Sequence, residues 1–359
     1  MSFRKRNVGL STGGPRTATP HASINQASQP PVLGLRPSPV DGRQTTSTGT
    51  PTLDNLLAGH AGLALGSSLL IEESGTTDFA GALLRYYAAE GIVQEHQLHV
   101  VGFDPQWAAT LPGLIGAAEA ADEKPKGKNE KMKIAWRYER LGNFGAGITP
   151  SRLHPGLPSI NFIQLSPPTQ PGSPLSSVIQ KLTQAISNSP SHKIHRVIIP
   201  SLLSPALYPP GTSRPECVLQ FLHSLRALLS IHSSRMTAMI TLPLSLYPRS
   251  FGLVRWIELL NDGVIELAPF PHLEHSNPAA TSGAATAQEE PPQGMLKIYR
   301  LPVFHERGGG GDKNTDEDWA FTFSRRKFTI KPFSLPPVDG DNDAQQRDAS
   351  AKSKADLEF

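Results

Sequence analysis

An α/β fold built on a mainly parallel sheet is what this sequence predicts, on three observations. Short, mostly apolar runs alternate with stretches whose apolar residues recur at helical spacing. The runs are three to seven residues long, the length of buried strands. The final two β-like stretches follow one another without a helix between them, which predicts antiparallel additions at one sheet edge. In chain order, Leu69-Leu70-Ile71 reads as the first core strand. Phe79 to Glu90 reads as a helix, with Asp78 placed to cap it or to sit as an anion at its first turn. Leu98 to Val101 is the second strand. Leu175, Val178, Ile179, Leu182 and Ile186 then mark one face of an amphipathic helix. Arg196 to Ile199 is the third strand, and Val218, Phe221, Leu222, Leu225, Leu229 and His232 share the next helical face. Met236 to Leu242 is the fourth strand, Leu253 to Leu260 a helix, and Val264 to Leu267 the fifth strand. Met295 to Leu301 and Trp319 to Ile330 supply the antiparallel edge.

The 359 residues carry 34 Lys+Arg against 31 Asp+Glu, so the net charge of +3 gives no global field for nucleic acid or an anionic membrane. Any RNA contact must come from a local patch. One cysteine, Cys217, excludes a disulfide framework and a Cys-based zinc site and fits a reducing compartment. No apolar run reaches the roughly 18 residues of a membrane span, and the basic start Arg4-Lys5-Arg6 leads into no signal-peptide core. A nuclear or cytosolic protein without a membrane partner is expected. Residues 1–44 are Pro-, Ser- and Thr-rich, with six Lys/Arg against Asp41 alone, and read as a disordered basic leader. That leader is either a solvated tail or an arm for nuclear targeting or RNA. Residues 45–335 read as the folded domain, with long insertions at about 117–133, 144–174, 272–294 and 305–318, and 336–359 as a disordered C-terminal tail.

Several motifs fail on context. Gly9-Leu10-Ser11-Thr12-Gly13 matches a nucleophile elbow but lies in the leader, without the strand and helix that strain the serine outward. His192/His195 and His272/His275 have ligand-like spacing and no third ligand. No metal and no cofactor are expected.

One stretch is informative: Ser47-Thr48-Gly49-Thr50-Pro51-Thr52-Leu53-Asp54-Asn55-Leu56-Leu57, then Gly59, Gly62 and Gly66, then Ser67 to Ile71. It resembles the lead-in to the phosphate loop of RecA/KaiC-like ATPases. In that family GxxxxGK[ST] comes next; here stand Glu72-Glu73-Ser74-Gly75-Thr76-Thr77-Asp78-Phe79. Glu72 takes the first glycine's place, Thr77 the second's, Asp78 the lysine's and Phe79 that of the magnesium-binding hydroxyl. A phosphate loop works because backbone N–H groups and a cation surround the phosphates. Reversing that charge at about 4 Å changes the interaction by several kcal/mol at an effective dielectric near 20. Asp78 is expected to fill the helix N-terminus that phosphate fills elsewhere. The resemblance also places a magnesium-binding acid at the end of the third core strand, where this chain has Pro200. Leu260 to Leu267 followed by Leu296 to Arg300 resembles the end of a KaiC-like domain. Together these imply a RecA-like three-layer core with the catalytic chemistry removed.

Asp41-Gly42-Arg43, Ser47 to Thr50, and the run from Gly75 through Leu83-Leu84-Arg85-Tyr86-Tyr87 to Gly91 narrow the match. They resemble the PAXNEB family, the fourth subunits of the Elongator complex, over about 36 to 335. The resemblance implies a non-catalytic subunit in the cytoplasm and nucleus. Its partners would be two sister RecA-like subunits, the fifth and sixth, in a hexameric ring, together with the larger catalytic subcomplex. It further implies tRNA binding in support of wobble-uridine (U34) modification. Two alternatives stand beside it: a transcription-elongation interaction subunit, and an ATPase with an unconventional site. The second needs a cation in place of the lysine, and nothing in the sequence puts Arg85, Arg137 or Arg140 at the loop. Two sets of residues complete the expectations. Arg214, Arg249 and Arg255, in or just past the loops after the third and fourth strands, are candidate RNA contacts. Tyr247 and Phe251, in the aromatic-rich 243–260 region, are candidate interface residues, if that region does not instead cover the domain's own sheet.

Overall fold

The computed structural model describes residues 32–57, 61–112, 160–165, 173–271, 291–302, 318–324 and 327–333. Residues 1–31 of the proposed leader, most of each insertion, the elbow-like motif, Arg137, Arg140, His272, His275 and the C-terminal tail lie outside them.

A nine-stranded sheet carries the fold. Its strands are β4 (Ser68–Glu73), β5 (Gln97–Val101), β6 (Ile160–Ile163), β7 (His195–Ile199), β8 (Met236–Pro243), β9 (Gly263–Pro269), β10 (Gly294–Arg300), β11 (Trp319–Phe323) and β12 (Phe328–Pro332). The order is β12-β11-β10-β9-β4-β8-β7-β5-β6, and the six strands from β9 to β6 run parallel. β10, β11 and β12 pair antiparallel at the edge, as the sequence predicts.

Three layers follow from side-chain alternation along the strands. Leu70, Val197, Ile199, Ala238, Ile240 and Val264 face helices α3 (Pro174–Ser187), α4 (Pro215–Ile231) and α5 (Gly252–Leu260). Leu69, Ile71, Val100, Ile198, Met239 and Ile265 face the other way, onto α2 (Phe79–Val93) and the short α1 (Pro51–Leu56). Covered on both faces, these strands are predominantly apolar along their length. This is an α/β architecture consistent with a RecA-like fold.

The sequence reading misses a small sheet of β1 (Leu35–Pro37), β2 (Gln44–Thr46) and β3 (Leu63–Ala64). β1 and the start of β2 fall inside the stretch read as a leader, and edge strand β6 falls inside the 144–174 insertion. All are only two to four residues long, too short for periodicity to carry a signal. Arg196, wholly buried in β7, ties this sheet to the core. Its Nη1 donates to the carbonyls of Ser47 (2.9 Å) and Tyr87 (3.0 Å), Nη2 to Thr46 Oγ1 (2.7 Å) and Gln94 Oε1 (2.6 Å), and Nε to His96 Nδ1 (3.0 Å). All five guanidinium N–H groups are used. Gly91 permits this approach, since a Cβ there would stand 2.8 Å from Arg196 Cδ.

Candidate functional site

The loop joining β4 to α2 lies at the carboxyl ends of the parallel strands, where α/β sheets gather ligand sites. Gly75 takes a φ of +101°, which favours glycine. The site is already filled by the chain itself. Glu73 Oε1 accepts from Phe79 N (3.0 Å) and Thr77 Oγ1 (2.6 Å), and Oε2 accepts from Ala80 N (2.9 Å). A carboxylate thus holds the positive end of a fifteen-residue helix, where phosphate would bind. Burial raises the pKa of Glu73, and these three hydrogen bonds pull it back down.

The expectation for Asp78 is therefore corrected. It stands at the N-cap position but makes no capping hydrogen bond. Its carboxylate turns outward to Arg85 Nη1 at 2.8 Å, because Glu73 reaches the free amides from inside the fold. Arg85 does stand at the loop, with its charge answered by Asp78. Phe79 packs edge-on against Phe321 (5.0 Å between ring centres) and Phe323 (6.1 Å), so the hydroxyl position is part of the core. Pro200 directly follows β7, offers no side-chain ligand, and its carbonyl accepts from Tyr208 Oη at 2.8 Å. Beside the loop, Glu73, Gly75, Thr77, Ser201 and Thr241 help line a cavity of about 50 Å³. A ligand of nucleotide size needs several hundred.

A second cluster lies next to Ser74. Arg249 Nε sits 2.7 Å from Glu258 Oε1 and 3.5 Å from Glu72 Oε2, and its Nη1 is 4.0 Å from Glu266 Oε2. Its guanidinium covers the Tyr299 ring at 3.3 Å. Glu266 also accepts from Ser74 Oγ and Tyr299 Oη, both at 2.5 Å. Glu72 is fully buried and neither carboxylate oxygen has a hydrogen-bond partner. Burial, then repulsion from Glu258, pushes its pKa up to about 8, although Arg249 opposes this. Sequence reasoning misses this cluster because its members come from four separated segments. Only the misfit of Glu72 at a glycine position hinted at it.

The raised Glu72 carboxyl sets a stability test. Its contribution to stability is intact below the unfolded value near 4.5 and is lost as pH rises toward 8. Glu72→Gln removes the ionisable group and is expected to stabilise the fold by on the order of 2 kcal/mol at pH 7.5. The gain should vanish near pH 4.5, as urea unfolding at both pH values would show. Equal stability of the two proteins at pH 7.5 overturns this reading.

Of the candidate RNA contacts, Arg214 (before α4) and Arg255 (on α5) are exposed, whereas Arg249 is held by carboxylates and a ring. The interface candidates also divide. Tyr247 is half-buried, packs on the core and donates to the Leu203 carbonyl at 3.3 Å. Phe251 is 54% exposed, beside Leu246 (52%) and Trp256 (57%). His195 is a core residue, and no group of three metal-ligating side chains occurs among the described residues.

With this geometry in place, the chain can be set beside known proteins. The family described as PAXNEB protein matches residues 27–359. Elongator complex protein 4 of Schizosaccharomyces pombe is 33% identical over 332 residues, covering 85% of this chain and 89% of its own. The protein of that name from Saccharomyces cerevisiae is 29% identical over 385 residues (90% and 80%). The Homo sapiens one is 30% identical over 392 residues (94% and 87%).

Proposed function

The chain belongs to the PAXNEB family of Elongator subunits, and on that premise we propose that it is a non-catalytic RecA-like subunit of the cytoplasm and nucleus. It assembles with the two sister RecA-like subunits into a hexameric ring that binds tRNA and supports U34 modification by the larger complex. The observation that carries the non-catalytic reading is the Glu73 carboxylate on the amides of Phe79 and Ala80. A polyphosphate would have to displace that carboxylate and then lie among Glu72, Asp78 and Glu266. The exposed apolar side chains of Leu246, Phe251 and Trp256 support assembly. For RNA, the free arginines Arg214 and Arg255 are the better-placed phosphate contacts.

One reconstitution tests the reading. Mixed with the two sister subunits, the chain is expected to give a particle with the mass of a hexamer. Binding of tRNA by that particle should weaken with salt, by a log–log slope of about 0.7 to 0.9 per neutralised phosphate. The lone chain is expected to show no ATP binding by calorimetry. Micromolar, magnesium-dependent ATP binding by the lone chain would favour the unconventional ATPase instead.

A further inference from the structure

Helix α5 buries one side and leaves an apolar strip on the other. Leu253, Val254 and Ile257 enter the core, whereas Trp256 and Leu259, three residues apart and so on one face, are each about half exposed. Two arginines flank the strip. Arg255 precedes Trp256 and is exposed, and Arg226 of the neighbouring α4 reaches the Leu259 carbonyl with Nη1 at 3.5 Å. Neither meets a carboxylate among the described residues, and Glu258, the one acid of α5, is already held by Arg249. The strip thus pairs apolar surface with positive charge that nothing on α5 offsets. Its complement is a segment that carries large apolar side chains beside acids. RNA would supply the charge but no aliphatic partner for Leu259.

One run outside the described residues has that composition. Asp356-Leu357-Glu358-Phe359 alternates an acid with a large apolar residue, and no base interrupts it. Lys352 and Lys354 bound the segment, since their charge is wrong for this face. In an extended chain Leu357 and Phe359 stand about 7 Å apart on one side, close to the roughly 5–6 Å between residues three apart on a helix. The long arginine side chains at the rim can reach the acids between them. The route is short. Arg300 of β10 donates to the carbonyls of Glu258 and Asn261, so this end of α5 lies over β10, two strand spacings or about 10 Å from β12. β12 also runs toward that end of the sheet: Pro332 stands opposite Trp319, Trp319 opposite Leu296, and β10 continues from Leu296 to Arg300. Roughly two dozen residues separate Phe333 from Leu357, and a chain of that length spans up to about 80 Å. Tethered in this way, the segment has a local concentration on the order of millimolar, against which any outside occupant competes.

We propose that residues 356–359 dock on the outer face of α5, with Leu357 and Phe359 on Trp256 and Leu259 and with Asp356 and Glu358 answering Arg226 and Arg255. This contact goes beyond the assembly proposed above and does not depend on it. A partner or an RNA that uses Trp256 or Arg255 then has to displace it.

Two measurements on the full chain test the proposal. Fluorinated tryptophan gives Trp256 a fluorine resonance, assigned with Trp256→Phe. A nitroxide on Ser353→Cys, in a Cys217→Ser background, places a relaxation probe beside the segment. Broadening of the Trp256 resonance is expected to fall at least threefold in the double variant Leu357→Ser with Phe359→Ser, which leaves every side chain of residues 32–333 in place. Asp356→Asn with Glu358→Gln, and separately Arg226→Gln with Arg255→Gln, should each lower it at least threefold as well. Equal broadening in the parent and the Leu357→Ser, Phe359→Ser chain overturns the proposal and leaves the strip to an outside partner. Broadening that survives both charge-neutralising pairs means an apolar contact without the arginines, and also overturns it. The second measurement is dilution. A contact within one chain is unchanged by tenfold dilution, whereas broadening that fades on dilution means that a second copy supplies the segment, and overturns docking within the chain.

Discussion

Glu73→Ala is expected to cost about 2–3 kcal/mol of folding stability, far more than the same change at Asp78. Removing the Glu73 side chain leaves two buried N–H groups of α2 and the Thr77 hydroxyl without their acceptor. It also removes the negative charge from the positive end of a fifteen-residue helix. Loss of an ordinary helix cap costs about 1 kcal/mol, and this carboxylate does the work of more than one cap. Asp78 makes only a surface ion pair, with its side chain 66% exposed, so Asp78→Ala should cost less than about 1 kcal/mol. Urea unfolding of the two variants measures the contrast directly. Sulfate supplies a second readout: it should stabilise Glu73→Ala more than the parent, because the vacated amides can then hold an external anion. If Asp78→Ala proves the more damaging change, Asp78 is the cap after all.

The difference between Glu73 and Asp78 shows what the sequence made legible. Every central strand and the four long helices were readable, because mostly apolar runs and 3.6-residue spacing both report burial. Leu69-Leu70-Ile71 and the stripe Leu175, Val178, Leu182, Ile186 are clear cases. The degenerate loop was readable as well, since acids stand where glycine and lysine belong. Which acid fills the helix end was not, because strand geometry at Glu73 and not linear spacing decides it. Spacing places Asp78 next to the amides, yet its side chain points to solvent and meets Arg85 about two helical turns on. The partners of Arg249 were illegible for a different reason. Glu72, Glu258, Glu266 and Tyr299 meet only because β9 lies beside β4 and α5 packs over the same end of the sheet. The five acceptors around Arg196 likewise span Thr46 to His96, and no local pattern announces them.

Stability is expected to fall on the order of 3 kcal/mol between pH 6.5 and pH 5, an unusually early acid transition. Three histidines are buried in neutral form. Burial, and then the charge of Arg196, takes His96 down to about 2. Burial takes His99 to about 4, and burial with His99 beside it takes His195 to about 3. Hydrogen bonds explain why the neutral rings fit. Asn161 Nδ2 donates to His99 Nδ1 (3.3 Å), so His99 Nε2–H donates to His195 Nδ1 (2.9 Å) and His195 Nε2–H to Ser189 Oγ (2.8 Å). The Ser189 hydroxyl passes its own proton to the Ile186 carbonyl at 2.7 Å. An added proton on either ring has no acceptor, and on His195 it puts like charge beside Arg235. In the unfolded chain these rings titrate near 6.5, so below that pH the unfolded state binds about three protons that the folded state refuses. Each such proton removes about 1.4 kcal/mol of stability per pH unit. Glu72 works in the opposite sense, because its folded carboxyl, raised to about 8, already holds a proton that the unfolded chain takes up only near 4.5. The raised carboxyls of Glu73 and Glu90 act in the same direction as Glu72. The net difference is roughly half a proton at pH 6.5 and grows to about two near pH 5, which sets the expected size. Urea midpoints at pH 7, 6 and 5 should therefore drop steadily. Glu72→Gln should drop more steeply than the parent, having lost the offsetting carboxyl. Midpoints that hold level to pH 5 would mean that these histidines carry protons in the folded state, and the chain of hydrogen bonds from Asn161 to Ser189 would have to be reversed.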